Sequence, residues 1–123
     1  MVQVETSQLT AECKEWHNAL RQSREEFVGN RQRLQDAVQQ SFSKEKLQQV
    51  EHFHNQFHIQ LINIHDLKQA IKTHARIMNL QLQNSDDLPH DTLATHEILG
   101  HQYEDLKLTL EELEVEFEHF LRA

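Results

Sequence analysis

Residues 96–120 read HEILGHQYEDLKLTLEELEVEFEHF, and their larger side chains recur at alternating steps of three and four residues. The recurring positions are His96, Leu99, Tyr103, Leu106, Leu110, Leu113, Phe117 and Phe120. This spacing is typical of a helix that packs one face against other helices. The acids between Glu111 and Glu118 then fall on a solvated face of the same helix. The stretch therefore predicts a long, amphipathic third helix.

Two earlier stretches repeat this spacing and so predict two more helices. The inward positions are Leu9, Cys13, Trp16, Leu20, Ser23, Phe27, Asn30, Leu34 and Ala37 in the first, and Leu47, Val50, His54, Phe57, Leu61, Ile64, Lys68, Ile71, Ala75, Met78 and Leu82 in the second. We predict an all-α fold, an antiparallel three-helix coiled-coil-like bundle with long helices, as a single domain over 1–123. The predicted helices cover residues 7–41, 44–83 and 89–121.

The two connections between the helices differ in how clearly the sequence marks them. Residues 84–89, NSDDLP, offer capping side chains, acids for a first turn and a proline near the next helix start. Residues 40–43 hold neither Gly nor Pro, so a helix running straight through residue 42 stays open. Thr6 or Ser7 is the expected N-cap of the first helix and Ser43 that of the second. Gly29 indicates a kink, a close helix approach or a helix end.

Composition excludes several classes of protein. The 123 residues include only two Gly and one Pro, too few for the turns of a sheet protein. The net charge of −8 disfavours nucleic acid as a partner. No apolar run reaches the ~20 residues of a membrane span, and residues 1–6 do not resemble a signal peptide, so we expect a cytoplasmic protein. Cys13 is the single cysteine, which we interpret as a small buried hydrophobe.

Antiparallel folding of the predicted helices places particular residues opposite one another. The expected neighbours are Phe27 with Phe57, Met78 with His96, Asn30 with His54, and Trp16 with Lys68. The last two pairs would be polar layers within the core. Such layers most often fix the register of the helices at some cost in stability. A small polar cavity or a ligand contact is the alternative interpretation.

Ten histidines are the most unusual feature of the composition. His54 and His58 are four residues apart on a predicted helix and can share one ion. The third helix would bring Glu116 or His119 alongside, which makes these four residues the candidate ligands of Zn²⁺, Ni²⁺ or Fe. His96 and His101 are five apart, not the four that a zinc-protease helix requires. A di-iron bundle needs four helices with inward carboxylates, which the sequence does not provide.

These observations favour a structural or protein-interaction module over an enzyme, since nothing combines a nucleophile, a base and a pocket. Phe42, Phe53, Ile59, Ile77 and Leu80 exceed what one buried stripe needs, which predicts a homodimer or another protein partner. One alternative is a metal-binding bundle that uses the histidines of the second helix; otherwise no cofactor is expected. The other is a pH-responsive module, since ten histidines titrate near neutral pH.

Two segments, EWHNAL at residues 15–20 and VEHFHNQF at residues 50–57, resemble those of a group of short, histidine-rich, all-helical bacterial proteins. The likeness extends over most of the chain together with the helical layout. It implies a small bacterial cytoplasmic protein. Neither segment carries a recognisable chemistry, so the resemblance assigns no functional residue.

Overall fold

A computed structural model describes residues 2–39 and 43–123, and the side chains of 6–39 and 43–123. It contains three helices, α1 (Val2–Val38), α2 (Lys44–Asn84) and α3 (His90–Arg122). The described residues contain no strand. The predicted all-α, three-helix architecture is confirmed.

The helix ends follow the capping chemistry of the sequence in α2 and α3. The Ser43 hydroxyl accepts a hydrogen bond from the backbone N–H of Lys46, which confirms Ser43 as the N-cap of α2. Ser85 caps the other end of α2, and Pro89 precedes the first residue of α3. The predicted N-cap at Thr6 or Ser7 is wrong, because α1 begins at Val2. The predicted end of α1 at residue 41 lies outside the described residues.

The helices run up, down and up. Phe27 of α1 contacts Phe57 of α2, with ring centroids 5.6 Å apart, as predicted for an antiparallel pair. Phe57 in turn contacts Phe117 of α3 at 4.9 Å. Contacts between α1 and α3 keep a nearly constant offset: Cys13 lies near His96, and Arg33 near Glu118. A constant offset means that these two helices are parallel, so the chain turns between α1 and α2 and does not run straight through.

The interior has two chemically different halves. Towards the connection between α1 and α2 it is aromatic, with Phe27, Phe53, Phe57, Phe117 and Phe120 in contact with one another. Towards the connection between α2 and α3 the buried side chains include a thiol and two imidazoles, those of Cys13, His74 and His96. The first half stabilises the fold by hydrophobic burial. The second half contains the buried side chains that can bind a proton or a metal ion.

The inward face of α2 corrects one part of the predicted pattern. Its buried residues are Phe53, Phe57, Gln60, Ile64, Leu67, Ile71, His74 and Met78. The predicted pattern places every second inward position one residue too late, at His54, Leu61, Lys68 and Ala75. The error at two of these positions arises because Gln60 and His74 are polar, so hydrophobicity alone favours the apolar residues that follow them. His54 is exposed.

The predicted polar layer at Asn30 has different partners in the structure. Asn30 donates a hydrogen bond to Glu114 Oε2 of α3 and accepts one from Arg33 Nη1 at 3.1 Å, so its predicted pairing with His54 is wrong. Arg33 also donates to Glu118 Oε1 at 2.7 Å. Because Glu114 is held by Asn30 and Glu118 by Arg33, part of the acidic run of α3 is tied into the bundle.

The two glycines lie inside helices and differ in their surroundings. A Cβ atom added at Gly29 would meet no neighbouring atom within 4 Å, so this glycine is neither a helix end nor a close approach. At Gly100 a Cβ atom would lie 3.3 Å from the Trp16 ring. Trp16 packs on His96 and Tyr103 of α3, with ring centroids 4.8 and 6.0 Å apart. The absence of a side chain at Gly100 is therefore what lets Trp16 lie against α3.

Several large hydrophobic side chains point into solvent. Among the hydrophobic residues predicted to exceed the needs of one buried stripe, Ile59, Ile77 and Leu80 are exposed, whereas Phe53 belongs to the core. Phe42 lies outside the described residues. Within the described part of the chain, no helix combines the length and the hydrophobicity required to cross a bilayer.

Candidate metal centre

Each of the three helices contributes one potential metal ligand to a single point of the interior. Cys13 comes from α1, His74 from α2 and His96 from α3. All three occupy inward positions of their helices, and their relative exposures are only 2%, 4% and 6%. The convergence follows from the heptad register, because the three positions lie at the same level of the bundle.

The ligand atoms of these residues are close to one another. His74 Nε2 and His96 Nδ1 are 3.0 Å apart, and Cys13 Sγ lies 3.9 Å from the same His96 nitrogen. All three ligand atoms fall within 4.8 Å of one another. Nitrogen and sulfur ligands of one tetrahedral zinc ion are separated by about 3.3–3.7 Å. Shifts of a few tenths of an ångström to about 1 Å would therefore fit the cluster around an ion.

Glu12 binds the far side of the His96 ring. Its Oε1 lies 3.2 Å from His96 Nε2, so that nitrogen carries the hydrogen and donates it to the carboxylate. A neutral His96 then has its lone pair on Nδ1, facing His74 and Cys13. Metal-binding histidines commonly donate their other N–H to a carboxylate, which orients the ring and makes it a stronger ligand. The Glu12–His96 pair has this arrangement.

The same atoms can also form a neutral hydrogen-bonded chain. His74 Nε2 donates to the His96 Nδ1 lone pair, and His96 Nε2 donates to Glu12. Within the described residues, no buried side-chain nitrogen or oxygen lacks a hydrogen-bond partner. The bundle is therefore satisfied as a protein alone. An ion bound here would take the place of the proton between the two imidazoles, and His74 would then carry its hydrogen on Nδ1.

Burial sets the protonation of the cluster. It lowers the pKa of His74, and the neighbouring His96 lowers that pKa further. Burial, with a smaller contribution from Glu12, raises the pKa of the Cys13 thiol to about 11. Both effects favour the uncharged forms, so the cluster holds a neutral imidazole and a protonated thiol at neutral pH. A metal ion would displace the thiol proton, because the thiolate is the ligand.

The candidate ligands expected from the sequence lie elsewhere. His54, His58, Glu116 and His119 are all exposed. Within the described part of the chain, the three-residue group at Cys13 is the one whose ligand atoms converge. The structure therefore does not bring the four expected residues together as a three-ligand site.

The sequence pattern misses His74. It places Cys13 and His96 correctly at inward positions, and Cys13 is buried as predicted, but the pattern does not indicate that these two side chains meet. The signal for His74 is its place in the series Phe53, Gln60, Leu67, His74, at steps of seven. A strict heptad count would bury His74, and the helix register would then place it near His96 and Cys13.

Comparisons with protein-family models, with curated proteins and with solved structures find no match to this chain. The assignment of function therefore rests on the geometry of the cluster and on the chemistry of its side chains.

Proposed function

We propose that this chain is a metal-binding three-helix bundle that holds one transition-metal ion between Cys13, His74 and His96. The observation that carries the proposal is the convergence of one thiol and two imidazoles, from three different helices, at a buried point. A thiolate and two imidazoles are ligands of zinc and copper. The proposal assigns binding to the chain and no reaction.

Met78 bears on the choice between these two metals. It is buried and lies four residues after His74, so the two side chains share a face of α2. Its thioether is a donor that suits Cu⁺ better than Zn²⁺. Met78 has three rotatable side-chain bonds with which to reach towards the cluster. Metal-free protein should therefore be tested with both Zn²⁺ and Cu⁺.

The metal content of the purified protein tests the proposal. The protein is produced without a histidine tag or a nickel column, dialysed against a weak chelator and measured by elemental mass spectrometry. We expect about one zinc or copper ion per chain, in keeping with a single cluster of this kind. Metal-free protein should also take up one equivalent of either ion when titrated.

Variants localise the ion. Cys13→Ser, and His74→Gln combined with His96→Gln, should abolish its retention. His54→Ala with His58→Ala removes the exposed histidine pair and should leave the stoichiometry unchanged. Circular dichroism distinguishes a lost site from a lost fold. The thiolate-to-cobalt absorption of the Co²⁺-loaded native chain provides a measurement that requires no substitution. A native chain that retains no ion and takes up none overturns the proposal, as does loss of the ion in the His54/His58 variant alone.

A further inference from the structure

The outward side of α2 carries a second regular stripe of residues, in addition to the buried one. At 100° per residue, its members lie within about 80° of helix circumference, roughly opposite the core positions. They are Asn55, Ile59, Ile62, Asp66, Gln69, Thr73, Ile77 and Leu80, and all of them are exposed. We call this set the outer stripe. The residues 55–80 that contain it extend for about 39 Å along the helix.

The outer stripe is unusually poor in charge for a surface that faces solvent. Its four large aliphatic residues, Ile59, Ile62, Ile77 and Leu80, have relative exposures of 43–56%. Asp66 is its single charged member, whereas a quarter of the whole chain is charged. The solvated side of an amphipathic helix normally carries charged residues, as the acidic run of α3 does. The stripe thus has an exposed aliphatic pair near each end, with uncharged or singly charged polar residues between them. Exposed aliphatic residues grouped on one side of a helix in this way are typical of a contact surface.

The spacing of the aliphatic residues is symmetrical. Ile59 and Ile77 are 18 residues apart, as are Ile62 and Leu80, and 18 residues make five complete turns. Two copies of α2 can therefore pack antiparallel with Ile59 opposite Leu80 and Ile62 opposite Ile77. Both pairs then occur twice, because they are related by a two-fold axis that passes between positions 69 and 70. A two-fold dimer requires a self-complementary patch of this form.

We propose that the outer stripe binds a second copy of this chain, with the two α2 helices antiparallel across a two-fold axis. Charge agrees with this arrangement. Asp66 would lie opposite Thr73 of the second copy and one turn from Arg76, which offers it an opposite charge. In the described part of the chain, neither Asp66 nor Arg76 belongs to an ion pair. The metal cluster lies on the inner side of α2, so this dimer does not depend on the proposed metal.

Light scattering coupled to size-exclusion chromatography tests the assembly. We expect the native chain to have twice its 14.6 kDa mass at high micromolar concentration. Ile62→Ser with Ile77→Ser removes two facing pairs and should give a monomer. Leu108→Ser with Val115→Ser removes two hydrophobic residues of α3 that are more exposed than Ile62 and Ile77, and should leave the dimer intact. A monomeric native chain overturns the proposal, as does a dimer that only the α3 variant disrupts.

Cysteine cross-linking tests the geometry of the dimer. Gln69 lies beside the two-fold axis, so Gln69→Cys should form a disulfide between copies under mild oxidation. Gln48 is on the same side of α2, but its two copies would be about 65 Å apart in the proposed dimer. Gln48→Cys should therefore remain monomeric in denaturing electrophoresis without reductant. The native Cys13 is buried and is present in every variant, so oxidation of the unsubstituted chain gives the background level of cross-linking. Cross-linking at residue 48 without cross-linking at residue 69 overturns the antiparallel arrangement.

Discussion

His96 has a hydrogen-bond partner on each of its ring nitrogens. Nδ1 faces His74 and Cys13, and Nε2 faces Glu12. Its ring also packs against Trp16, so it is held both by polar contacts and by stacking. A ring fixed in this way presents its lone pair in one direction, which is the geometric requirement for a metal ligand.

Glu12→Gln should weaken metal binding while leaving all three ligands in place. The amide still accepts the hydrogen of His96 Nε2, but it lacks the negative charge that makes the ring a stronger ligand. We expect the metal affinity to fall about tenfold or more, within the range for loss of such a carboxylate. Competition with a chromogenic chelator measures the affinity. Glu25→Gln, at an exposed position of the same helix, is the matched control. Equal affinities in the two variants would show that Glu12 does not act on the ion.

At the scale of the helices, the two glycines offer a comparison. Each glycine inside a helix costs about 1 kcal/mol relative to alanine. Gly29→Ala meets no neighbour and should stabilise the protein by about 0.5–1 kcal/mol. Gly100→Ala places a Cβ atom 3.3 Å from Trp16, which the rings of His96 and Tyr103 hold in place. Its stabilisation should be smaller or negative, as measured by urea unfolding. Equal gains from the two substitutions would contradict this account of the Trp16 contact.

The helices themselves follow from the sequence with few errors. The inward faces of α1 and α3 are predictable, because their larger apolar residues recur there at regular steps of three and four. In α2 the stripe is wide, and polar Gln60 and His74 occupy strict heptad positions, so hydrophobicity alone selects their neighbours. A heptad pattern reports which face is buried, but it does not report which polar residues the tertiary structure accepts there.

The site is less predictable than the fold for a related reason. His54 and His58 are neighbours through local helix geometry, which any sequence displays. Cys13, His74 and His96 become neighbours only through the register of three helices, and an error of one residue in α2 removes His74 from the interior. The dependence of the site on all three helices is what hides it from local motifs.

At the scale of the whole molecule, the buried cluster makes the stability of the metal-free protein depend on pH. In the unfolded chain His74 has its ordinary pKa of 6.5, whereas burial lowers its pKa in the folded state. Below pH 6.5 the unfolded state therefore binds more protons, and the free energy of unfolding falls as the pH falls. Above that pH neither state holds this proton, and the stability associated with His74 is fully present.

The Cys13 thiol makes the free energy of unfolding fall at alkaline pH, which gives the stability curve an alkaline limb opposite the acid limb of His74. The pKa of Cys13 rises from 9.0 to about 11 on folding, so only the unfolded chain loses the proton between these values. The free energy of unfolding should fall by at most about 3 kcal/mol as the pH rises from about 9 to about 11. Urea unfolding of the chelator-treated protein from about pH 5 to about pH 10.5 should show a plateau between the two limbs. His74→Gln should flatten the acid limb, and Cys13→Ala the alkaline one. If stability still falls at acid pH in the His74→Gln variant, other groups cause that fall.

The separation of the three ligands along the chain has one more consequence. His96 lies 83 residues from Cys13 and 22 from His74. An ion held by all three would tie distant parts of the chain together, as a removable cross-link does. The longest of the loops between successive ligands, from Cys13 to His74, has about 60 residues. In chain-entropy terms, closing a loop of that length stabilises the folded state by about 4 kcal/mol. No single helix and no pair of helices holds all three of these residues, so an ion bound by all three would be retained only by a completely assembled bundle.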